Sequence, residues 1–301
     1  MTEERKTEKK EDKKETEEED EAVEIKEGFE LVTNKNTYIV GRLLGAGGFG
    51  AVFLMDTKDK NGQPVQYAMK VEKFDPKRRH SKLKMEIAIL KKVQDSPHFT
   101  KMIDRGKKDE CGGYFFIIMD LVGSSLDKLK RESRNGIFSF NTALGVGSQC
   151  LEAVEELHKN GYIHRDLKPP NYAIGLAPKR HLIYILDFGI ARKFTNVKNE
   201  LKTPREKVNF KGTIRYASLA CHQSVELGPK DDCECVFYII MEFLLIRGLP
   251  WRKTGRQTFG GKIQKRRFGR KGGQSFSRGS GEQWSWRKFS TTLYVLPTRI
   301  M

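Results

Sequence analysis

The chain lacks a long apolar run, a disulfide framework and an internal repeat, and each absence removes a class of protein. Its longest apolar stretch, VFYIIMEFLLI at residues 236–246, is broken by Glu242 and falls far short of the ~18 residues a membrane span needs. It is expected to be a buried helix. The five cysteines, Cys111, Cys150, Cys221, Cys233 and Cys235, are odd in number and lack framework spacing, which argues against a stapled secreted scaffold. No charged-then-apolar signal segment opens the sequence. Together these features predict a soluble chain in a reducing intracellular compartment, cytoplasmic or nuclear. Acidic residues are scarce only at one end: residues 251–301 hold 13 basic and 1 acidic residue, whereas residues 1–26 hold 7 basic and 12 acidic. The formal charge of +17 is therefore a poor guide to partners.

What is present divides the chain into four parts. Residues 1–28 are nearly all charge and have almost nothing to bury, so they are expected to form a disordered arm, either a solvated segment or a docking tail. Folding is expected to begin near Phe29. Over residues 29–122 short apolar runs alternate with turns, and Asn61-Gly62 between two β-rich runs, 52–55 and 65–71, marks a hairpin. KLKMEIAILKKV then carries a helical stripe of Leu83, Ile87, Leu90 and Val93, and YFFIIMDLVG at 114–123 reads as a buried strand. Over residues 123–254 the pattern turns helical, with Leu144, Leu151, Val154 and Leu157 on one face of a helix that stops at Gly161. Strands followed by helices predict an α+β fold, a small sheet-rich lobe and a larger helical one.

The glycine run Gly45-Ala46-Gly47-Gly48-Phe49-Gly50 fits G-x-G-x-x-G, a weak signal by itself. A dinucleotide site needs a helix directly after the glycines, and here a hairpin follows. Two strands bridged by glycines can instead lay backbone N–H groups over phosphates, with Val52 at the valine of G-x-G-x-x-G-x-V. Lys70 lies in an apolar strand, where an unpaired ammonium is costly, and Glu86 sits on the apolar face of its helix. Each alone fits a snorkelling surface residue; together they fit an ion pair that steadies Lys70 against phosphates. His164-Arg165-Asp166-Leu167-Lys168-Pro169-Pro170-Asn171 fills H-R-D-L-x-x-x-N, and the next apolar strand delivers Asp187-Phe188-Gly189. That pattern assigns Asp166 to the substrate hydroxyl, Lys168 to the charge of the moving phosphoryl group, and Asn171 with Asp187 to a metal ion.

Other chemistry-bearing residues have plainer readings. Cys233-Glu234-Cys235 has no matching ligands nearby and opens a buried helix, so core thiols are expected. His158 at a helix end reads as a capping or surface residue. Trp284, Trp286 and Phe289 among basic residues lack any nucleic-acid-binding module, and no nucleic acid or membrane partner is expected.

With these motifs in place, residues 29–251 resemble a protein kinase of the casein kinase one group, most similar to its tau-tubulin kinase-like branch. No A-P-E closes the activation segment; KGTIRYASLACHQSVELGPKDDCECVFYIIMEFLLIRGLPW instead resembles the group's stretch from G-T-x-R-Y-A-S through L-P-W. MDLVGSSLDKL resembles its hinge and NYAIGL its segment after the catalytic loop, while FTN, PR and GT-RYAS in order point to the branch. The resemblance implies ATP and magnesium as cofactors and Ser/Thr of protein substrates as acceptors. It implies Met119 as gatekeeper, Asp120, Leu121 and Val122 as the adenine-binding hinge, and Leu44 and Ala68 as cover for the ring. It further implies Thr213 bridging toward Asp166, Asp232 anchoring the catalytic loop, and Arg215 binding acidic or prephosphorylated substrate. Arg205, Lys207, Lys211 and Lys230 add charge to that anion pocket by composition alone, and a solvated basic face explains them equally well. A monomer is expected. The alternative to an active enzyme is a nucleotide-binding but inactive scaffold.

Past Trp251 the resemblance ends. Residues 255–301 are rich in Gly, Ser and Arg and have no helical period where further amphipathic helices are expected. A divergent end or a change of splice or reading frame near Gly255 fits this composition, the latter better, and the segment is expected to leave the helical lobe incomplete.

Overall fold

The computed structural model describes residues 23, 25–47, 50–75, 81–109, 113–206 and 208–252, with the backbone alone of Phe276–Ser277 and Gln283–Trp284. Most of the charged arm, Gly48 and Phe49 of the glycine run, Cys111, Lys207 and nearly all of the basic tail lie outside the described residues. The chain divides into two compact units, Met1–Ala88 with Lys101–Leu121, and Ile89–Thr100 with Val122–Met301.

The first unit is built on a six-stranded antiparallel sheet in the order β1-β2-β3-β4-β6-β5. Its strands are β1 (Glu30–Val32), β2 (Thr37–Gly47), β3 (Gly50–Lys58), β4 (Pro64–Lys73), β5 (Met102–Lys108) and β6 (Tyr114–Asp120). β3 and β4 form the expected hairpin, but through a longer loop than Asn61-Gly62 alone: the Asp59 carboxylate accepts from Asn61 N and Gln63 N, each at 2.8 Å. Strand alternation sorts β4 into two faces. Met69 and Val71 enter a core with Phe53, Met55, Phe116 and Ile118, while Ala68, Lys70 and Glu72 point the other way. Val23 and Ile25 are buried in the same core. The core therefore takes in apolar side chains from upstream of Phe29, where the sequence is expected to be a charged arm.

Helix α1 (Lys82–Leu90) follows β4. It buries Leu83, Ile89 and Leu90 together with Glu86, while Ile87 is half-buried and Val93 lies beyond the helix end. The buried carboxylate displaces Ile87 from the innermost position read from the periodicity.

The second unit is helical with short ladders: α2 (Leu126–Glu132), α3 (Phe140–Lys159), β7 (Tyr162–Ile163), β8 (Tyr172–Ile174), β9 (Ile183–Ile185), β10 (Arg192–Lys193), α4 (Leu219–His222) and α5 (Pro229–Leu244). Ser139 caps α3 by accepting from Thr142 N, and Gly161 beyond its end has φ +81°. The buried stripe of α3 is Ala143, Gly147, Cys150, Ala153, Val154 and Leu157, with Leu144 and Leu151 half-buried at its flank. Small residues take the centre because α5 comes close: a Cβ on Gly147 would meet Ile240 Cδ1 at 2.5 Å. Helix α5 starts on Pro229 and its Asp231 side chain accepts from Gly228 N at 2.8 Å. Cys235 is buried but Cys233 is exposed, a correction to the expected pair of core thiols. Positions i and i+2 of a helix lie ~200° apart and cannot share a face. The helix stops at Leu244, so Ile246, within the apolar run, is exposed. A sheet-rich unit and a helical one make the expected α+β fold. Among the described residues no helix is long and apolar enough to cross a membrane.

Candidate active site

In the first unit the sheet register gathers the residues read as nucleotide-binding. Lys70 lies opposite Val52 on β3 and Ile117 on β6, and Ala68 lies opposite Leu54 and Met119, so Val52, Ala68, Lys70 and Met119 share one face. Lys70 is buried and its Nζ meets Glu86 Oε2 at 2.6 Å. Both charges are removed from water, and each would be costly without the other. Glu72, two residues along the same face, accepts from Lys82 N at 3.0 Å, Leu83 N at 2.9 Å and Ser81 Oγ. It satisfies backbone donors that a helix N-terminus leaves open and places negative charge at the positive end of α1. One strand thus holds α1 at its first turn through Glu72 and one turn later through Lys70. Nothing in the sequence singled Glu72 out. Leu44 and Gly45 to Gly47 are exposed on β2, and Asp120 accepts from Lys101 N at 3.0 Å as β6 ends. Leu121 closes the first unit and Val122 opens the second.

In the second unit two ladders bring the polar residues together. β8 pairs with β9, Tyr172 opposite Ile185, and Leu186 N donates to Asn171 O at 2.9 Å, so Asn171 and Asp187 emerge at the same end of the ladder. β7 pairs with β10, which sets the His164-Arg165-Asp166 loop at the end of that ladder. The buried Asp232 of α5 accepts from His164 N at 2.8 Å and Arg165 N at 3.0 Å. Its Oδ2 also lies 2.9 Å from His158 Nε2, which makes His158 a half-buried partner of Asp232 rather than a surface or capping residue. The exposed-looking end of α3 hides this, because the partner is 74 residues away. Asp166 N donates to His164 Nδ1 at 3.3 Å, so His164 carries its proton on Nε2 and gives it to Leu186 O at 3.1 Å. His164 thereby ties the loop to the residue before Asp187. Phe188 packs beside it, with ring centroids 5.4 Å from His164 and 5.7 Å from Phe99.

Arg165 (φ +71°) and Asp187 (φ +65°) are held in left-handed backbone conformations, a strain that surrounding structure must impose. Asp166 is 5% exposed; its Oδ1 accepts from Thr213 Oγ1 at 2.7 Å and its Oδ2 meets Lys168 Nζ at 2.7 Å. Lys168 Nζ also lies 3.3 Å from Thr213 Oγ1. Gly212, with φ +106°, makes this possible: a Cβ there would stand 2.4 Å from Arg165 O. Asn171 Nδ2 donates to Asp166 O at 2.9 Å, which leaves its amide oxygen as the group on offer. One amide oxygen and the Asp187 carboxylate are hard oxygen donors, the set by which Mg²⁺ is held when substrate phosphates complete the coordination. Among the described residues no group of three His, Cys, Asp or Glu side chains could hold a metal ion alone.

The cations grouped with Arg215 by composition fare differently. Arg205 is bidentate to Glu226, and Lys230 Nζ meets Asp231 Oδ1 at 2.9 Å, so both have carboxylate partners. Lys211 is exposed, and Lys207 lies outside the described residues. Arg215 lies with its guanidinium 5.9 Å from the Tyr216 ring centre, and its carbonyl accepts from Trp251 Nε1 at 2.8 Å. The L-P-W turn is thus fastened to the turn that carries Thr213.

Residues 38–283 match the protein kinase domain model. The chain belongs to the protein kinase family. The match continues past Trp251, where recognisable motifs stop. The chain is 40% identical over 73% of its length to a probable serine/threonine-protein kinase of Dictyostelium discoideum, covering 43% of that protein. It is 35% identical over 72% of its length to a Caenorhabditis elegans protein provisionally named casein kinase I, covering 62% of it. A provisionally named serine/threonine-protein kinase of the same nematode is 38% identical over 68% of this chain and 59% of its own. The chain therefore spans from about two fifths to three fifths of the relatives it matches. Features of this kinase domain that went unread in sequence include the Glu72 cap, the His158–Asp232 contact and Glu226. Each is made by hydrogen bonds between residues that no motif links, from 9 residues apart at Glu72 to 74 at His158.

Proposed function

We propose that the chain is a serine/threonine protein kinase that transfers the γ-phosphate of ATP to Ser or Thr of protein substrates. The observation that carries this is the Thr213–Asp166–Lys168 cluster beside Asn171 and Asp187. The Asp166 carboxylate, oriented by Thr213, accepts the proton of the substrate hydroxyl as its oxygen bonds to the γ-phosphorus and the bond to the bridging oxygen breaks, releasing ADP. Lys168 offsets negative charge that spreads over the phosphoryl oxygens. Lys70, steadied by Glu86, would hold the α- and β-phosphates, and Asn171 with Asp187 would hold Mg²⁺. Bound there, the ion supplies charge neutralisation to the phosphates. Val52, Ala68 and Met119 form an apolar face for the adenine ring, with residues 120–122 as its polar edge.

The casein kinase one-like sequence from Gly212 to Trp251 supports placement in that group, and the order FTN, PR, GT-RYAS supports the tau-tubulin kinase-like branch. Within the proposal Arg215 favours acidic or prephosphorylated substrates with less help than composition promised, since Arg205 and Lys230 have carboxylate partners. The deciding experiment is magnesium-dependent incorporation of radiolabel from γ-labelled ATP into a mixed Ser/Thr protein substrate. Lys70→Met and Asp187→Asn should each lower it by about a hundredfold or more, and incorporation that persists in Asp187→Asn overturns the assignment. Peptide series complete it: a preference for acidic over neutral peptides that is lost in Arg215→Ala supports the anion pocket, and equal kcat/KM for both in the wild type removes it.

A further inference from the structure

Two arginines from separate stretches of the second unit meet on one carboxylate, and a third lies within electrostatic reach of it. Arg205, in the loop after Leu201, reaches Glu226 through Nε at 2.6 Å and Nη2 at 3.0 Å, and its backbone N lies 3.3 Å from the same side chain. Arg192 of β10 approaches Glu226 Oε1 with Nε at 3.5 Å. Arg165, between His164 and Asp166, fixes its Nε on Ile190 O at 2.7 Å and lies within electrostatic reach of Arg192, Arg205 and Glu226. Burial and the two neighbouring guanidiniums lower the Arg165 pKa to about 10, which means that Glu226 and Asp232 only partly offset the gathered positive charge. Glu226, whose side chain is 15% exposed, precedes the turn into α5, and each arginine lies N-terminal to it on its own piece of chain. Several guanidiniums around one small space are the arrangement by which proteins bind a phosphate and order the segment that bears it.

We propose that Glu226 is a positioning residue: its carboxylate is the resident anion of the Arg165–Arg192–Arg205 cluster and, with no phosphate on the segment, holds residues 192–226 in register with the loop that carries Asp166. The proposal rests on the kinase assignment for its effect on turnover, but not for its anion chemistry. An isolated surface ion pair would contribute little. This one is bidentate and shared between two arginines, its Glu226 side chain is sheltered even though Arg205 is exposed, and it lies near a third arginine whose neighbour in sequence is Asp166.

The experiment uses the full chain and inorganic sulfate as the probe, with sodium chloride at matched ionic strength as control. In Glu226→Ala the vacated cluster should bind the dianion, so that sulfate raises the melting temperature several degrees further than in the wild type. Adding Arg205→Ala to that variant should abolish the difference. In phosphorylation assays Glu226→Ala should lose roughly tenfold or more in kcat with a less than twofold change in KM for ATP. Sulfate should restore part of the loss, and Glu226→Asp should fall between the two. Glu226→Gln, which keeps the side-chain volume, replaces Glu226→Ala if the latter does not fold. Equal sulfate shifts in wild type and variant, or a kcat loss that sulfate does not touch, overturn the proposal. If the wild type transfers no phosphate at all, the kinase assignment falls while the melting comparison still decides the role of Glu226.

Discussion

At Asp166 the sequence motif names a residue but not the state in which it is kept. Its two oxygens are engaged by Thr213 and Lys168, from opposite ends of a 45-residue separation. A hydroxyl at position 213 is therefore expected to matter for orientation and not for ATP affinity. Thr213→Ser, which keeps the donor, should retain most of kcat, whereas Thr213→Ala should lower kcat about tenfold with KM for ATP little changed, as loss of one positioning hydrogen bond of ~1–2 kcal/mol implies. Steady-state kinetics of the three proteins decide it, and an equal loss in Ser and Ala variants would point to packing instead. Glu226 gives a second prediction at the same scale. The Arg205 hydrogen bonds, with Arg192 and Arg205 charge added, lower its pKa to about 2. A carboxylate whose pKa is depressed on folding stabilises the native state fully above its unfolded value of ~4.3 and loses that contribution as pH falls toward the folded value. The stability gap between wild type and Glu226→Gln should thus be constant from neutrality to about pH 5 and close between roughly pH 4.5 and pH 2. Urea unfolding at pH 6 and pH 3 checks it, and a gap that is the same at both pH values would mean the carboxylate is not what stabilises.

Among the elements, α1 shows how a strand can fix a helix. Lys70 and Glu72 are on the same face of β4 because alternation requires it, and the first turn of α1 meets Glu72 while the second meets Lys70. The Lys70–Glu86 pair was legible because a lysine in an apolar strand and a glutamate on an apolar helix face each demand a partner. Glu72 was not, since VEK reads equally well as the strand's solvent edge. Likewise, of the stripe read on α3, Val154 and Leu157 are buried but Leu144 and Leu151 are half-buried, because hydrophobicity ranks leucine above the glycine and alanine that close packing against α5 selects. The prediction at this scale is that Glu72→Ala frees the N-terminus of α1. It should cost about 1–2 kcal/mol of stability as an N-terminal cap does, and it should raise KM for ATP several-fold by loosening Glu86 from Lys70. Glu72→Asp, too short to reach both Lys82 N and Leu83 N, should behave more like Ala than like wild type. An unchanged KM for ATP in Glu72→Ala would confine Glu72 to stability alone.

For the molecule as a whole, the motif-bearing loops were readable from sequence, while much of what steadies them was not. The clearest instance is Glu242, which read as an interruption of the apolar run and is instead 3% exposed inside it. Its Oε1 meets Lys130 of α2 at 3.3 Å and its Oε2 accepts from Leu249 N at 2.8 Å, so one carboxylate joins α2, α5 and the L-P-W turn that in turn holds Arg215 through Trp251. Hydropathy could not foresee this, because a buried charge is tolerated only through a partner 112 residues away. Removing one member of such a pair strands the other without water. Glu242→Ala is accordingly expected to cost about 3–5 kcal/mol, a large share of the ~5–15 kcal/mol that holds a domain together. Replacing both charges by apolar residues of similar size, Lys130→Met with Glu242→Leu, removes the stranded charge and should recover most of that loss, leaving mainly the unsatisfied Leu249 N–H at ~1–3 kcal/mol. Equilibrium unfolding of wild type, the two single variants and the double variant measures the coupling directly. Should the double variant be as unstable as the sum of the singles, the two residues act independently, and the joining of α2, α5 and the turn must rest on their apolar contacts alone.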